Sequence, residues 1–172
     1  MLNHLLCHGL AKAKAALCRH VVGQLFVCHV QVRGIAAALA GWRGLCDGVL
    51  ENTVTLFLQE QAEVANQLIA WIGPSISAPH YEVGSEVRDA FLREGEQRGH
   101  ALSEFCFEKS VNAQHYMADL PRIAKERLNA MGVEAVYGGD LCTYSNPERF
   151  YSYRRQNPTG RFASLIWFNP RP

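Results

Sequence analysis

The sequence alternates short strand patterns with amphipathic helix patterns at irregular intervals. Apolar runs at 33–40, 68–72 and 133–137 are typical of buried strands. Apolar side chains recur at helical spacing over 49–57 and, most clearly, over 119–131, where Asp and Pro fall in the first turn and a glycine follows the last. This order indicates a mixed α/β protein.

Further segments are predicted between those elements. Ser85 can cap a helix over 85–95 that has one apolar face and stops at Gly95. Residues 73–84 are rich in Pro, Ser and Gly and predict an ordered loop, and residues 96–111 predict a long polar surface connection.

A hairpin is predicted near the C-terminal end of the chain. Residues 150–154 and 162–168 have strand character, and the Asn-Pro-Thr-Gly sequence at 157–160 has the residue types of a turn. Antiparallel pairing after an irregular order of strands and helices favours a mixed α/β sandwich over a doubly wound parallel sheet.

Length and composition limit the class of protein. With 172 residues, 48% hydrophobic and 19% charged, the chain is predicted to fold as one globular domain over 1–172. No apolar run approaches the ~18 residues of a membrane span, and the first residues lack a secretory pattern, so we expect a cytoplasmic protein. The six cysteines form no CxxC pair, which favours free thiols.

The start of the chain differs in composition from the rest. Residues 1–46 contain five Lys or Arg and no acidic residue, whereas the remainder carries 12 basic and 16 acidic residues. Four of the seven His and three of the six Cys lie within the first 29 residues. We therefore treat 1–34 as an atypical segment and 35–172 as the core of the domain.

Arg43 is a candidate anion-binding residue. It lies in Gly41-Trp42-Arg43-Gly44, which is predicted as a turn between a strand and a helix. Glycines let a backbone approach a ligand closely, and a guanidinium near a helix N-terminus can bind an anion. The alternative is a tight turn in which Trp42 enters the core and Arg43 forms a structural ion pair.

Arg154 is the second candidate of this kind. A strand over 150–154 would place Tyr151, Tyr153 and Arg155 on one face and Arg154 on the other. Arg154 could bind phosphate while an aromatic ring stacks on a base; the alternative is an exposed arginine pair beside a core strand. Nucleic acid is not the expected partner, because the net charge is only +1 and the sequence has no basic stripe that would neutralise phosphates.

Cysteine and histidine side chains near the start of the chain are candidate metal ligands. The side chains concerned are His4, Cys7, His8, Cys18, His20, Cys28 and His29. The first three would share a helix face, Cys18 and His20 would share a strand face, and Cys28 and His29 would point to opposite faces. None has the paired spacing of a zinc finger, and the alternative is that the cysteines are small buried side chains.

Two further residues have a chemical and a structural interpretation. Asp119 is either the cap of the helix that follows it or a general base. Cys142 is either a nucleophile or a buried packing residue, and no adjacent His supports its activation.

Seven short motifs occur together from about residue 35 to the C-terminus. They lie at 40–45, 48–54, 71–76, 81–84, 118–120, 141–143 and 150–155, the last followed by 159–161. In these motifs and in their order the sequence resembles the YfiH-like family, also described as laccase-domain or multicopper polyphenol oxidase proteins.

The resemblance implies an α-β-β-α layered fold similar to the cytotoxic necrotizing factor catalytic domain. It implies phosphorolysis of adenosine and inosine to base and ribose 1-phosphate, with adenosine deamination and methylthioadenosine phosphorolysis alongside. The family has a zinc or copper site of two His and one Cys, which leaves one position open for water or substrate. Arg43 and Arg154 would then contact phosphate or substrate, and Asp119 would act as the base.

The sequence departs from the family at the metal ligands. Leu39 stands where the family has the His that precedes Ala-Gly-Trp-Arg-Gly, and leucine cannot bind zinc. Val22 falls at the position of the family's Cys, and the region of the other His has no counterpart. No metal ligand is therefore assigned; the available substitutes are Cys18, His20, Cys28 and His29.

These departures leave two explanations and two functions open. Residues 1–34 derive either from a shifted reading frame or wrong start, or from a truncated, degenerate copy. The chain is either a metal-dependent purine nucleoside phosphorylase or a catalytically inactive member that binds purine nucleosides. Missing strands would expose apolar surface and sheet edges, so a homo-oligomer is also considered.

Overall fold

Strands and helices alternate along the chain, of which this computed structural model describes residues 15–20, 24–29, 34–61 and 65–167. The strands are β1 (Ala15–His20), β2 (Gln24–His29), β3 (Gly34–Leu39), β4 (Ile69–Ile72), β5 (Glu82–Gly84), β6 (Phe107–Lys109), β7 (His115–Ala118), β8 (Ala135–Gly138) and β9 (Phe162–Trp167). The α-helices are α1 (Trp42–Cys46), α2 (Val49–Gln61), α3 (Ser85–Gln97) and α4 (Leu120–Ala130). Short 3-10 helices lie at Ala65–Gln67, Ala78–His80 and Glu104–Cys106.

The central sheet has four strands in the order β3-β2-β4-β8. β2 pairs antiparallel with β3 and β4, whereas β8 runs parallel to β4. Two smaller antiparallel sheets are formed by β1 with β9 and by β5-β7-β6. The fold is therefore mixed α/β with parallel and antiparallel pairing, which confirms the predicted class.

The main core forms where α2 and α4 pack against each other and against the edge strands of the central sheet. Val54 and Phe57 of α2 and Ile123 and Leu128 of α4 are almost completely buried. Val54 and Phe57 are three residues apart, and Leu128 is four residues after the buried Ala124, so each of these pairs lies on one side of its helix and the opposite side can remain polar. Burial of this apolar face is the main contribution of each helix to the stability of the fold.

Segments with strong local patterns are confirmed. Strands β3, β4 and β8 and helices α2 and α4 lie where the periodicity predicts them. Asp119 caps α4, because its Oδ1 accepts a hydrogen bond from the Arg122 N–H at 2.9 Å. Gly132 follows the helix with φ of +82°, the left-handed conformation that glycine adopts without strain.

The predicted C-terminal hairpin is wrong. Residues 150–152 are irregular, residues 153–155 form a turn, and β9 pairs with β1 at the other end of the chain. Arg155 explains the turns, because its Nη1 donates to the carbonyl oxygens of Thr143 and Tyr144 and its Nη2 donates to that of Phe150. A segment wrapped around one guanidinium cannot also be an extended strand.

The segment predicted as a polar surface connection also contains buried structure. Cys106 and Phe107 are buried at the start of β6, which pairs with β7. The predicted loop over 73–84 likewise ends in a strand, β5. Both elements are three residues long, which is too short for an alternating pattern to identify them.

Helix α3 is longer than predicted and begins differently. Gly84 is the residue before its first turn, so Ser85 is the first helical residue and not the cap. The helix continues past Gly95 to Gln97. Gly95 is buried, and a Cβ there would lie 2.8 Å from the His100 carbonyl oxygen, so this glycine serves close packing and not helix termination.

The helices are short on the scale of a bilayer. Helices α2 and α3 have 13 residues each, and a spanning helix needs roughly 20. Within the described ranges, none combines the length and apolar composition that a bilayer crossing requires.

Candidate functional site

Arg43 lies in the first turn of a helix and not in the turn that its glycines predict. Gly41 is the N-cap, and α1 begins at Trp42. The Arg43 guanidinium carbon lies 4.5 Å from the centre of the Trp42 ring, and the side chain is exposed while Trp42 packs partly against the core. The position keeps a cation at the surface next to an aromatic ring.

Arg154 lies over a different aromatic residue, Tyr81. Its guanidinium carbon is 4.9 Å from the ring centre, and its Nη1 donates to the Glu82 carbonyl oxygen at 3.0 Å. Tyr81 is buried to 8% exposure, whereas Arg154 is exposed. One N–H is therefore used on the backbone, and the guanidinium edge remains at the surface.

The positive charges of both arginines act on Tyr81, and Arg154 is the one that contacts its ring. Burial raises the pKa of its hydroxyl, and the positive charges of Arg154 and Arg43 act on it in the opposite direction, with burial prevailing. Both cations are thus close enough to affect one phenol, although they are far apart in the sequence. No sequence pattern distinguished Tyr81, and only the resemblance motif at 81–84 included it.

Asp119 follows a residue, Ala118, whose backbone is hydrogen-bonded to Tyr81. The N–H of Ala118 donates to the Tyr81 carbonyl oxygen at 2.9 Å, and the N–H of Asp119 donates to the Cys106 carbonyl oxygen at 2.9 Å. Its Oδ1 is used in the helix cap and its Oδ2 lies 3.7 Å from Arg122 Nε. The capping interpretation is confirmed, and the role as a base stays a prediction.

The predicted facial arrangement around Arg154 is wrong, because no strand forms there. Arg155 is half-buried and holds three carbonyl oxygens, so it is a structural residue. Tyr151 and Tyr153 are exposed, and the Tyr153 hydroxyl accepts a hydrogen bond from Asn157 Nδ2 at 3.0 Å. Of this motif, only Arg154 faces Tyr81.

Two loop segments join next to this site. Ser75 and Cys142 form a parallel bridge, in which Ser75 N–H donates to the Leu141 carbonyl and Thr143 N–H donates to the Ser75 carbonyl. His80 and Tyr144 stack with ring centres 4.3 Å apart and planes at 19°. We call segments 75–81 and 141–145 together the loop seam.

Cys142 has an unusual environment within the loop seam. Burial raises the pKa of its thiol, but hydrogen bonds from the side chains and backbone N–H groups of Ser145 and Ser77 outweigh that effect and bring the pKa to about 7. The Ser77 hydroxyl lies 2.9 Å from Sγ and its N–H nitrogen 3.4 Å. Serine donors therefore supply the activation for which the sequence offered no adjacent His.

A cavity of about 350 Å³ lies between α1 and α3. Arg43 and Arg93 contribute positive charge to its wall, Asp47 and Glu94 contribute negative charge, and Trp42 contributes apolar surface. Because the charges balance, the cavity has no marked preference for anions. Arg43 lines this cavity, and its charge also acts on Tyr81.

The described side chains do not fit the zinc or copper site that the family predicts. Leu39 ends β3 and offers only a hydrocarbon side chain. Within the described ranges, no three His, Cys, Asp or Glu side chains are grouped as metal ligands would be. The substitute residues are divided between two sheets, since Cys18 and His20 lie in β1 and Cys28 and His29 in β2; His4, Cys7 and His8 lie outside the described residues.

The fold and the site together define a mixed α/β protein in which two arginines act on one buried tyrosine. The chain belongs to the YfiH-like family, because the family model described as multi-copper polyphenol oxidoreductase laccase matches residues 16–169.

Relatives and a solved structure agree with this assignment. A purine nucleoside phosphorylase of Pseudomonas aeruginosa is 50% identical over 133 residues, which are 77% of this chain and 51% of that protein. The purine nucleoside phosphorylase YfiH of Escherichia coli is 45% identical over 140 residues, which are 81% and 53% of the two chains. A Neisseria meningitidis crystal structure matches with a TM-score of 0.79 at 36% identity, covering 91% of this chain and 61% of that one. The chain thus spans about half the length of the curated relatives it matches.

Proposed function

We propose that this chain acts on purine nucleosides as a phosphorylase. The observation that carries the proposal is the Arg154 guanidinium, which lies 4.9 Å over the Tyr81 ring, with the charge of Arg43 also acting on the Tyr81 hydroxyl. Relatives that share 45–50% identity are named purine nucleoside phosphorylases, which supports the substrate class. The match covers about half of those relatives, so the activity of the whole relative is carried over as a proposal only.

In the proposed reaction, an oxygen of inorganic phosphate forms a bond to C1′ of the ribose and the bond from C1′ to the purine nitrogen breaks. The products are the free base and ribose 1-phosphate. Arg154 and Arg43 would hold the phosphate, because guanidinium groups offer paired N–H donors that match phosphate oxygens. Tyr81 would stay protonated at neutral pH, since its pKa is raised, and would present a neutral ring and hydroxyl beside the anion.

Asp119 is proposed as the general base of this site. It follows Ala118, whose N–H donates to the Tyr81 carbonyl oxygen, and it is half-buried. Its cap uses Oδ1, and Oδ2, which lies 3.7 Å from Arg122 Nε, would accept a proton from a substrate hydroxyl.

Finer properties follow from the resemblance and are part of the proposal. They are a zinc or copper requirement, adenosine deamination, methylthioadenosine phosphorolysis, a layered fold like the cytotoxic necrotizing factor catalytic domain, a cytoplasmic location and a homo-oligomer. We route no step through a metal, because the described side chains do not provide its ligands.

A second function is favoured by one specific observation. Leu39 replaces the His that the resemblance gives as a ligand, and this supports an inactive member that binds purine nucleosides without cleaving them. The metal content of the chain, measured by elemental mass spectrometry, helps to distinguish the metal-dependent enzyme from the inactive member. About one zinc or copper per chain would mean that the substitutes Cys18, His20, Cys28 and His29 form a site, and a metal-free chain would favour the inactive form.

The decisive test is the release of base and ribose 1-phosphate from inosine and adenosine, measured with and without phosphate. Arg154→Gln should raise the KM for phosphate by about ten- to hundredfold, because this is the loss of affinity that corresponds to the free energy of one hydrogen bond to a charged group. Arg149→Gln is the matched control, because Arg149 is also exposed and lies 5.3 Å over an aromatic ring, that of Phe150. Saturable nucleoside binding without base release would support the inactive alternative, and no binding at all would contradict both.

A further inference from the structure

The surroundings of Cys142 Sγ differ from those of an ordinary packed cysteine. The Ser77 hydroxyl lies 2.9 Å from the sulfur and the Ser77 nitrogen 3.4 Å, so two donors of one residue converge on it. They favour the thiolate, because each hydrogen bond is stronger to an anion than to a neutral thiol, and Ser145 lowers the thiol pKa in the same direction. The ionisable side chains on the loop seam and just before it are His80, Tyr81, Asp140 and Tyr144, and the groups that lower the thiol pKa are the two serines.

A second, independent feature lies beside the sulfur. Ser75 is 96% buried, and its Oγ has no hydrogen-bond partner among the described atoms. Ser75 and Cys142 are bridge partners, and paired residues in a ladder send their side chains to the same face. An unpaired buried hydroxyl costs free energy, and an oxygen added to Sγ on the same face would give this hydroxyl an acceptor.

We propose that Cys142 is a site of oxidation by hydroperoxides, at which Ser75 Oγ binds the oxygen that is added to the sulfur. The sulfur attacks one peroxide oxygen, an S–O bond forms and the O–O bond breaks. Sulfur loses two electrons to the departing oxygen, which also takes the proton of the attacked oxygen and leaves as water or an alcohol. The product is a sulfenate, which Ser75 stabilises by donating to its new oxygen.

The small exposure of Cys142 selects the class of oxidant. The residue is only 8% exposed, so a bulky disulfide has poor access to Sγ, whereas hydrogen peroxide is about the size of two water molecules. This modification is independent of phosphorolysis, because it involves neither arginine nor Tyr81.

The test exposes the whole chain at pH 7 to limiting hydrogen peroxide, traps sulfenate with dimedone and maps the labelled peptides by mass spectrometry. Cys106 in the same molecule is the internal control, because burial raises the pKa of its thiol to about 12. Cys142 should be labelled on the order of a hundredfold faster than Cys106, after allowance for the higher nucleophilicity of a more basic thiolate. Equal labelling of the two cysteines would overturn the proposal.

Two serine variants test the separate roles. Ser77→Ala should slow labelling of Cys142 by about two- to sixfold at pH 7, because it removes a donor that favours the thiolate. Ser75→Ala should leave that rate unchanged and shorten the lifetime of the sulfenate when dimedone is added after a delay. Ser103→Ala is the matched control, since Ser103 also lies beside a cysteine, with its Oγ 3.7 Å from Cys106 Sγ. Unchanged rates in Ser77→Ala, or an unchanged sulfenate lifetime in Ser75→Ala, would refute the corresponding role.

Discussion

Arg127 Nη1 donates to the Glu51 carboxylate at 3.2 Å, and both side chains are buried, at 1% and 9% exposure. The same Nη1 donates to the carbonyl oxygens of Leu45 and Cys46, at the end of the helix that carries Arg43. Arg127 on α4 therefore ties together the ends of α1 and α2. Because the pair lies in a low-dielectric interior, each charge depends on the other.

Removal of one member of this pair should be strongly destabilising. Arg127→Met leaves the Glu51 carboxylate buried without its partner, so the free energy of unfolding should fall by about 3–5 kcal/mol in urea titrations. The double variant Arg127→Met with Glu51→Leu is the control and should recover most of the loss, because no charge then remains buried. A single variant that loses less than about 1 kcal/mol would contradict this account.

Stability should depend on pH through Glu126. Burial raises the pKa of this carboxyl, but hydrogen bonds from the Ser103 hydroxyl and N–H outweigh it, so the pKa is lowered from 4.5. A lowered pKa in the folded state means that this stabilisation is complete above about pH 4.5 and is lost as pH falls through the folded value. The difference in unfolding free energy between the wild type and Glu126→Gln should therefore shrink in acid. A difference that stays constant from pH 7 to pH 3 would rule out this linkage.

Arg155 should be needed for the C-terminal turns. Its three hydrogen bonds to the carbonyl oxygens of Thr143, Tyr144 and Phe150 are 2.6–2.7 Å long. Arg155→Leu should lower the unfolding free energy by about 2–4 kcal/mol and speed proteolysis near 144–156, because these carbonyls lose their donor. Arg161→Leu, at an exposed position, is the control and should change little. Equal effects of the two variants would argue against a stabilising role for the three Arg155 hydrogen bonds.

Asp119 can be tested for two roles at once. Asp119→Ala should cost about 1 kcal/mol of stability through loss of the cap, whereas Asp119→Asn should retain the cap and nearly all of the stability. If the proposed base role is right, both variants should lose phosphorolysis alike. An Asn variant that is both stable and fully active would leave Asp119 as a cap alone.

The parts of the fold that sequence reasoning predicted depend on local signals. The α4 cap at Asp119, its apolar face and the terminating Gly132 all lie within one segment. The strand β9 could be recognised by its composition, but its partner could not, because β1 lies at the other end of the chain. Pairing is a non-local property that hydrophobic alternation does not encode.

The candidate site shows the same division. Arg43 and Arg154 were found because cations in glycine-rich or aromatic motifs indicate anion binding. Tyr81 and the serine donors of Cys142 were missed, because Ser77 lies 65 residues before the sulfur that it contacts. A burial-dependent pKa has no sequence signature when the groups that set it come from another loop.

The pairing of β1 with β9 has a consequence for synthesis on the ribosome. Ala15 lies opposite Trp167, so the first described strand cannot find its partner until the end of β9 has left the exit tunnel. Until then neither edge of β1 is paired with another described strand, and any other extended chain can occupy an edge. Closure of this last pair should therefore be slow and post-translational, and nascent chains halted before residue 162 should be the species that chaperones retain.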